Sequence, residues 1–212
     1  LIVTTSLLGR VWCGYACPQT VFLEGVFRRV ARLFEGPREA RIRRDRAPLT
    51  LDGALRKGAK HVLYVGLCLL LAHTFLAYFV PVEELLGWLG GSPGAHWTAF
   101  LWVVAMAALL YFDVAWFREQ VCLVVCPYGR FQSALIDDDT VVIGYDVLRG
   151  EPRSRPSEQG GDCVDCRRCV VVCPTGIDIR NGLQMECVGC SSCVDACDEV
   201  MARLGRAPGL IR

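Results

Sequence analysis

The sequence lacks the signatures of a nucleotide-binding enzyme. No GxGxxG opens a helix after a strand and no GxxxxGK[ST] occurs, so neither a dinucleotide site nor a P-loop is encoded and electrons must come from elsewhere. A charge of one sign is also lacking. Lys and Arg number 23 against 22 Asp and Glu, and the formal net charge of +1 points to no nucleic-acid partner. No initiator Met stands at Leu1, which already lies in an apolar run, Leu1 to Leu8, too short to span a bilayer. The chain reads as a fragment with at least one helix cut upstream. An even cysteine count is missing too: 13 cysteines at tight spacings make a poor framework of mutual disulfides.

What is present is a dense run of cysteine. Cys163, Cys166, Cys169 and Cys173 read CxxCxxCxxxC followed by Pro174. Cys187, Cys190, Cys193 and Cys197 repeat the spacing with Asp198 in the proline position. This is the bacterial run for two 4Fe-4S clusters, in which the fourth cysteine of each run ligates the other cluster. Cluster 1 is expected on Cys163, Cys166, Cys169 and Cys197, and cluster 2 on Cys187, Cys190, Cys193 and Cys173. Three thiolates at intervals of three wrap one face of a cubane, and the fourth points away to its neighbour. Zinc wants two pairs with a long gap, which would leave a third cysteine over.

Composition asks for a membrane. Hydrophobic residues make up 53% of the 212, and the mean hydropathy of +0.35 is high for a soluble globule. Between Glu24 and Lys60 eleven Lys/Arg stand against five acids, the positive-inside pattern. Spans are expected near 61–80 and 97–117, the second bracketed by Trp97 and Trp116. Between them 81–96 carries Glu83 and Glu84 with no Lys or Arg, ends in a Gly-rich turn, and is read as an outer loop. The expected fold is an α-helical membrane protein, with interfacial helices and a ferredoxin-like α+β module. Its parts are a membrane domain (1–139), a linker (140–160) that opens on a strand-like stretch from Val141 to Tyr145, and a cytoplasmic two-cluster domain (161–212). Asp137, Asp138 and Asp139 read as a solvated turn.

A second motif repeats internally. CxxxCPxxxF occurs from Cys13 to Phe22 and again from Cys122 to Phe131. Pro18 suits the first turn of a helix and pushes Cys17 toward an extended bend, with the helix N-terminus there stabilising a thiolate or an anionic cluster. The helix that follows is expected to be interfacial, with Val21, Phe22, Val26, Val30, Leu33 and Phe34 on one face. Both motifs lie at the basic membrane face. Cys13, Cys17, Cys122 and Cys126 either pool into one four-thiolate site, for a third cluster or for Cu(I), or remain two separate bends. His73 and Asp113 are ionisable groups inside expected spans. His73 is either a metal, haem or proton site or is bonded between helices, Asp113 reaches the interface, and Cys68 is a packing residue.

The chain resembles the cytochrome c oxidase accessory family CcoG/FixG (also RdxA) of membrane-bound polyferredoxins. The resemblance rests on GRVWCGYACPQT at Gly9 to Thr20, RKGAKH at Arg56 to His61, FREQVC at Phe117 to Cys122 and CPYGRFQSA at Cys126 to Ala134. RGEPR at Arg149 to Arg153, GDCVDC at Gly161 to Cys166, CPTGIDIRNGLQMEC at Cys173 to Cys187, DACDEVM at Asp195 to Met201 and the final GLIR continue it. Asp198 matches the family pattern. The resemblance implies a cupric reductase of the bacterial inner membrane, multi-pass, with its ferredoxin module on the cytoplasmic side. Its copper would serve assembly of a cbb-type haem-copper oxidase, with the assembly factors of that oxidase as partners and a cytoplasmic or quinol electron donor. It also implies further helices and an outer immunoglobulin-like domain beyond this chain. Two rivals remain: a copper-binding scaffold with structural clusters, and a quinol-linked conduit like the membrane ferredoxins of nitrate and nitrous oxide reduction.

Overall fold

The computed structural model describes residues 5, 9–48, 50–137, 139–154 and 160–212. Most of the Leu1 to Leu8 run, Asp138 of the acidic turn and 155–159 of the linker lie outside the described residues. The helices are α1 (Pro18–Phe22), α2 (Arg28–Glu35), α3 (Arg38–Arg46), α4 (Leu51–Leu76), α5 (Val82–Leu89), α6 (Trp97–Phe112), α7 (Pro127–Ala134), α8 (Val147–Gly150), α9 (Arg168–Val172) and α10 (Ser192–Arg203). The chain divides into two compact units: Leu23–Arg118, and Leu1–Phe22 joined with Glu119–Arg212. Both CxxxCP segments therefore share a unit with the eight-cysteine stretch.

In the Leu23–Arg118 unit, α4 starts at Leu51, well before the expected residue 61, because Thr50 caps it. The Thr50 hydroxyl accepts the Gly53 N–H at 3.2 Å, and Asp52 lies in the first turn, where the helix dipole favours an acid. Arg56, Lys57 and Lys60 thus sit on the helix itself. Lys60 pairs with buried Glu35 at 2.8 Å, and the Tyr64 hydroxyl donates to the Phe27 carbonyl at 2.7 Å, fastening α4 to the α2 segment. The segment 81–96 corrects the expected loop: Pro81 precedes a two-turn helix, α5, with Glu83 and Glu84 in its first turn and Leu85 buried.

A π turn, Leu23–Phe27, precedes α2. Its i→i+5 bonding rotates the helix face relative to a continuous α-helix. The buried stripe is consequently Leu23, Phe27, Ala31 and Glu35, while Val21, Phe22 and Leu33 of the expected face are exposed.

Two helical segments, Leu51–Leu76 and Pro93–Phe117, are long and apolar enough to cross a bilayer, yet only 22% and 17% of their most apolar windows are buried. Val62, Leu70, Leu109 and Phe112 are among the apolar side chains left open. A core helix of a water-soluble protein would bury such a surface; this one suits a membrane-associated protein. Cys68 is fully buried in the core between α4 and α6. His73 bonds within α4, its Nδ1 lying 2.7 Å from the Leu69 carbonyl, so the bond closes inside one helix and not between two. Asp113 opens a π turn, Asp113–Phe117, and its carbonyl accepts the Arg118 N–H at 2.5 Å.

The other unit has less β-structure than expected. Among the described residues its β pairing is one antiparallel bridge, Tyr145 to Ile211, flanked by Gly144 N–H to Arg212 carbonyl at 2.7 Å and Asp146 N–H to Leu210 carbonyl at 3.0 Å. The ladder cannot lengthen. Asp146 caps α8 immediately after the bridge, and Gly209 turns the opposing segment with φ +81°. The α+β module is thus a helical one with a single bridge, which buries Leu210 and Ile211.

Candidate iron–sulfur and thiolate sites

The eight cysteines of the ferredoxin-like runs surround two cavities. Cys163, Cys166, Cys169 and Cys197 line one, with Tyr145, Met201 and Leu210 among its apolar walls. Cys173, Cys187, Cys190 and Cys193 line the other, with Cys169 and a wall that includes Ile143, Ile177 and Val188. The fourth cysteine of each run stands in the cavity of the other run.

The backbone repeats as well. Cys166 is flanked by Asp165 (φ 49°) and Arg167 (φ 55°), and Cys190 by Gly189 (φ 69°) and Ser191 (φ 57°). Left-handed residues without glycine carry strain of about 1 kcal/mol or more, and α9 and α10 begin directly after Arg167 and Ser191. Alternating left- and right-handed residues turn successive N–H groups into a concave nest, a common feature of iron–sulfur sites. Among the described residues, no group of three or more His, Cys, Asp or Glu side chains forms a site for a single metal ion. Thiols spread around a cavity fit a cluster, and these residues would hold one in each.

The two cavities differ in charge. Arg167, Arg168 and Arg180 line the first, and among the described residues no charged side chain lines the second. Arg180 is 7% exposed and forks onto Asp178, Nε to Oδ1 at 2.8 Å and Nη2 to Oδ2 at 2.7 Å, while Nη1 meets Asp165 at 2.5 Å. The bonds from Arg180 hold the Asp178 and Asp165 carboxyls below the usual range. Sequence reasoning passed over Arg180, since nothing in an isolated arginine signals burial beside a cysteine cavity.

The two CxxxCP motifs fold alike. Trp12–Ala16 and Val121–Val125 are π turns, each closed by the N–H of the second cysteine: Cys17 to Trp12 at 2.8 Å and Cys126 to Val121 at 2.7 Å. Both cysteines are extended, as residues before proline are, and Pro18 and Pro127 then open α1 and α7. Cys122 lies near enough to Cys17, Cys126 and Cys13 for each to act on its thiol, although among the described residues no three of these side chains form a site for a single metal ion. Burial, then the neighbours Cys17, Cys126 and Cys13, push the Cys122 thiol up to about 12. Burial also raises Cys13, whose Sγ donates to the Oε1 of fully buried Gln132 at 2.8 Å. Gln132 is a further residue that motif spacing does not reveal.

Burial likewise pushes Cys193 up to about 12 and Cys197 to about 11. In the metal-free unit such thiols are protonated at neutral pH, whereas cluster ligation needs thiolates, so loading releases protons. Iron and sulfide per chain are therefore expected to fall as pH is lowered from neutrality. Without metal the sign reverses. A thiol whose folded pKa is raised contributes stability below the unfolded value, about 8.5, and loses it as pH rises toward the folded value. Thermal melts of the metal-free protein across the alkaline range, beside iron assays across the acid range, check both.

Comparison with known proteins agrees with this chemistry. The profile of the 4Fe-4S dicluster domain family matches residues 117–212, and that of a 4Fe-4S binding domain family matches residues 1–37. The chain is 43% identical over 218 residues to the nitrogen fixation protein FixG of Rhizobium meliloti, covering 100% of this chain and 41% of FixG. It is 43% identical over 212 residues to RdxA of Cereibacter sphaeroides, covering 100% of this chain and 45% of RdxA. A putative electron transport protein of Escherichia coli, YccM, is 26% identical over 212 residues, 92% of this chain and 51% of YccM. No solved structure matches. The chain spans less than half the length of FixG and RdxA. Identity of 43% along the whole of this chain, on a unit built around cysteine-lined cavities, makes it a member of the CcoG/FixG (RdxA) family of iron–sulfur proteins.

Proposed function

We propose that this chain is the electron-transfer portion of a cupric reductase that supplies Cu(I) for assembly of a cbb-type haem-copper oxidase. The observation that carries the reading is that Cys13, Cys17, Cys122 and Cys126 lie in the same compact unit as the two cysteine-lined cavities, with Cys122 within electrostatic reach of the other three. Cys163, Cys166, Cys169 and Cys197 would hold one cluster, and Cys187, Cys190, Cys193 and Cys173 the other. Bound 4Fe-4S clusters supply one-electron transfer, which matches the single electron separating Cu(II) from Cu(I). The neighbouring thiols of Cys13, Cys17, Cys122 and Cys126 do not form a single-ion site as they stand and would close on copper as substrate, where soft thiolate sulfur favours the Cu(I) product. Buried Gln132 orients Cys13. Charge asymmetry supports α4 and the α6 segment as two crossings of a bacterial inner membrane, with the basic stretch and the cysteine module on the cytoplasmic side. A cytoplasmic or quinol donor reloads the protein.

A second reading is a third cluster on the same four cysteines. It is favoured by the 4Fe-4S binding-domain match over residues 1–37, which contain Cys13 and Cys17. Anaerobic mixing of dithionite-reduced holoprotein with Cu(II) tests the main proposal. Stoichiometric Cu(I), trapped by a Cu(I)-specific chromogenic chelator, is the expected result. A scaffold with structural clusters leaves the copper oxidised, and a quinol-linked conduit takes electrons from quinol with no response to copper.

A further inference from the structure

The Cys13 segment is clamped to the Cys187 loop by one side chain. The Arg10 guanidinium donates through Nη1 to the carbonyls of Met185 at 2.5 Å and Cys187 at 2.7 Å, and Nη2 lies 3.4 Å from the Gly129 carbonyl. One planar fork thus ties the residue that leads into Cys13–Cys17 to the Cys187 loop and to the first turn of α7, which follows Cys122–Cys126. The backbones also touch. A Cβ on Gly14 would lie 2.4 Å from the Gly189 carbonyl oxygen and 3.3 Å from the Cys190 Cα. Gly189 itself has φ +69° and packs on Arg10. Gly14 follows Cys13 directly and Gly189 precedes Cys190 directly, so neighbours of both cysteine groups are in backbone contact. The same guanidinium lowers the thiol pKa of both Cys13 and Cys187, against the burial that raises them.

We propose that Arg10 is a positioning residue that locks the four-cysteine group onto the Cys187–Cys190 loop. The cavity of Cys173, Cys187, Cys190 and Cys193 is then the immediate neighbour of that group, and the arginine-walled cavity of Cys163, Cys166, Cys169 and Cys197 is the remote one. The role of Cys13, Cys17, Cys122 and Cys126 as an electron-accepting site rests on the function proposed above; the clamp itself does not.

The test uses holoprotein carrying Arg10→Met, with Arg10→Lys and Gly14→Ala as companions. Lysine keeps the charge and loses the fork, and alanine forces the two backbones apart. Iron and sulfide content are expected to stay at the parent level in Arg10→Met. Hydrogen–deuterium exchange is expected to rise in residues 10–17 and 185–190 together. Reoxidation of the dithionite-reduced protein by Cu(II) is expected to slow about tenfold or more, since a displacement of about 1 Å at a reacting centre costs up to about a hundredfold. Reoxidation by ferricyanide, a small outer-sphere oxidant, should hold its rate. Exchange that rises in only one of the two segments, or in neither, overturns the clamp. Undiminished reoxidation by Cu(II) in a variant with both segments loosened overturns its role in positioning. If Cu(II) fails to reoxidise the unaltered protein, the copper reading fails and the clamp is judged on exchange alone.

Discussion

Replacing Cys13, Cys17, Cys122 and Cys126 together with serine is expected to abolish Cu(II) reduction while the clusters of the eight-cysteine stretch remain. Loss of even an outer partner of a metal ligand costs about 10- to 100-fold in metal affinity or activity, so losing the whole thiol set should cost at least about a hundredfold. The variant should still fold. Cys17 and Cys126 owe their extended shape to the prolines that follow, and the π turns close through backbone N–H groups. Iron and sulfide quantitation with EPR separates the readings. Unchanged iron with lost reduction supports a copper-handling thiolate site; iron lower by a third assigns the four cysteines to a third cluster. Retained reduction at full iron sinks the site altogether.

The second large effect is expected at Arg180. Arg180→Met removes a side chain 4% exposed that forks onto Asp178 and reaches Asp165. Breaking a buried ion pair by deleting one partner costs about 3–5 kcal/mol. Asp178 and Asp165 keep 25% and 49% of their side-chain surface exposed, which lowers the expected cost to about 2 kcal/mol. For a unit of this size the melting temperature should fall by roughly 10 °C. The substitution also removes a cation from the wall shared with Cys163, Cys166, Cys169 and Cys197. A positive charge there favours the reduced, more negative cluster, so its loss should lower one midpoint potential and leave the other in place. Arg180→Lys should retain most of the potential while losing part of the stability. A redox titration of fully loaded Arg180→Met with both midpoints unchanged would falsify the tuning role.

Much of the site was legible because its information is local. Spacings of three and four residues carry the cysteine runs whatever surrounds them, and proline after cysteine dictates an extended residue followed by a helix start, as at Cys17 and Cys126. The second apolar segment was located closely for the same reason, since a bilayer demands length and apolarity along one continuous stretch. The start of α4 was missed because the basic residues from Arg56 to Lys60 looked like a loop. A Thr50 cap and the pairing of Lys60 with Glu35 keep them helical. The α5 helix was hidden behind Pro81 and the glycines that follow it. A helix after Pro18 is legible in its apolar spacing, whereas the π turn at Leu23–Phe27, which sets the buried stripe of Leu23, Phe27, Ala31 and Glu35, leaves no mark in composition.

Sequence alone determined the chemistry: soft sulfur at cluster spacing, repeated half-motifs before proline, and apolar segments flanked by unequal charge. Each of these is a property of neighbours along the chain. Tertiary structure decided which cysteines share a cavity and that Cys122 comes within electrostatic reach of Cys13, Cys17 and Cys126. It alone shows that Arg180 charges one cavity wall and that Arg10, reaching 177 residues along the chain to the Cys187 carbonyl, joins the two groups. Side chains so far apart in sequence meet only when the fold closes a very long loop, and no local preference encodes that meeting.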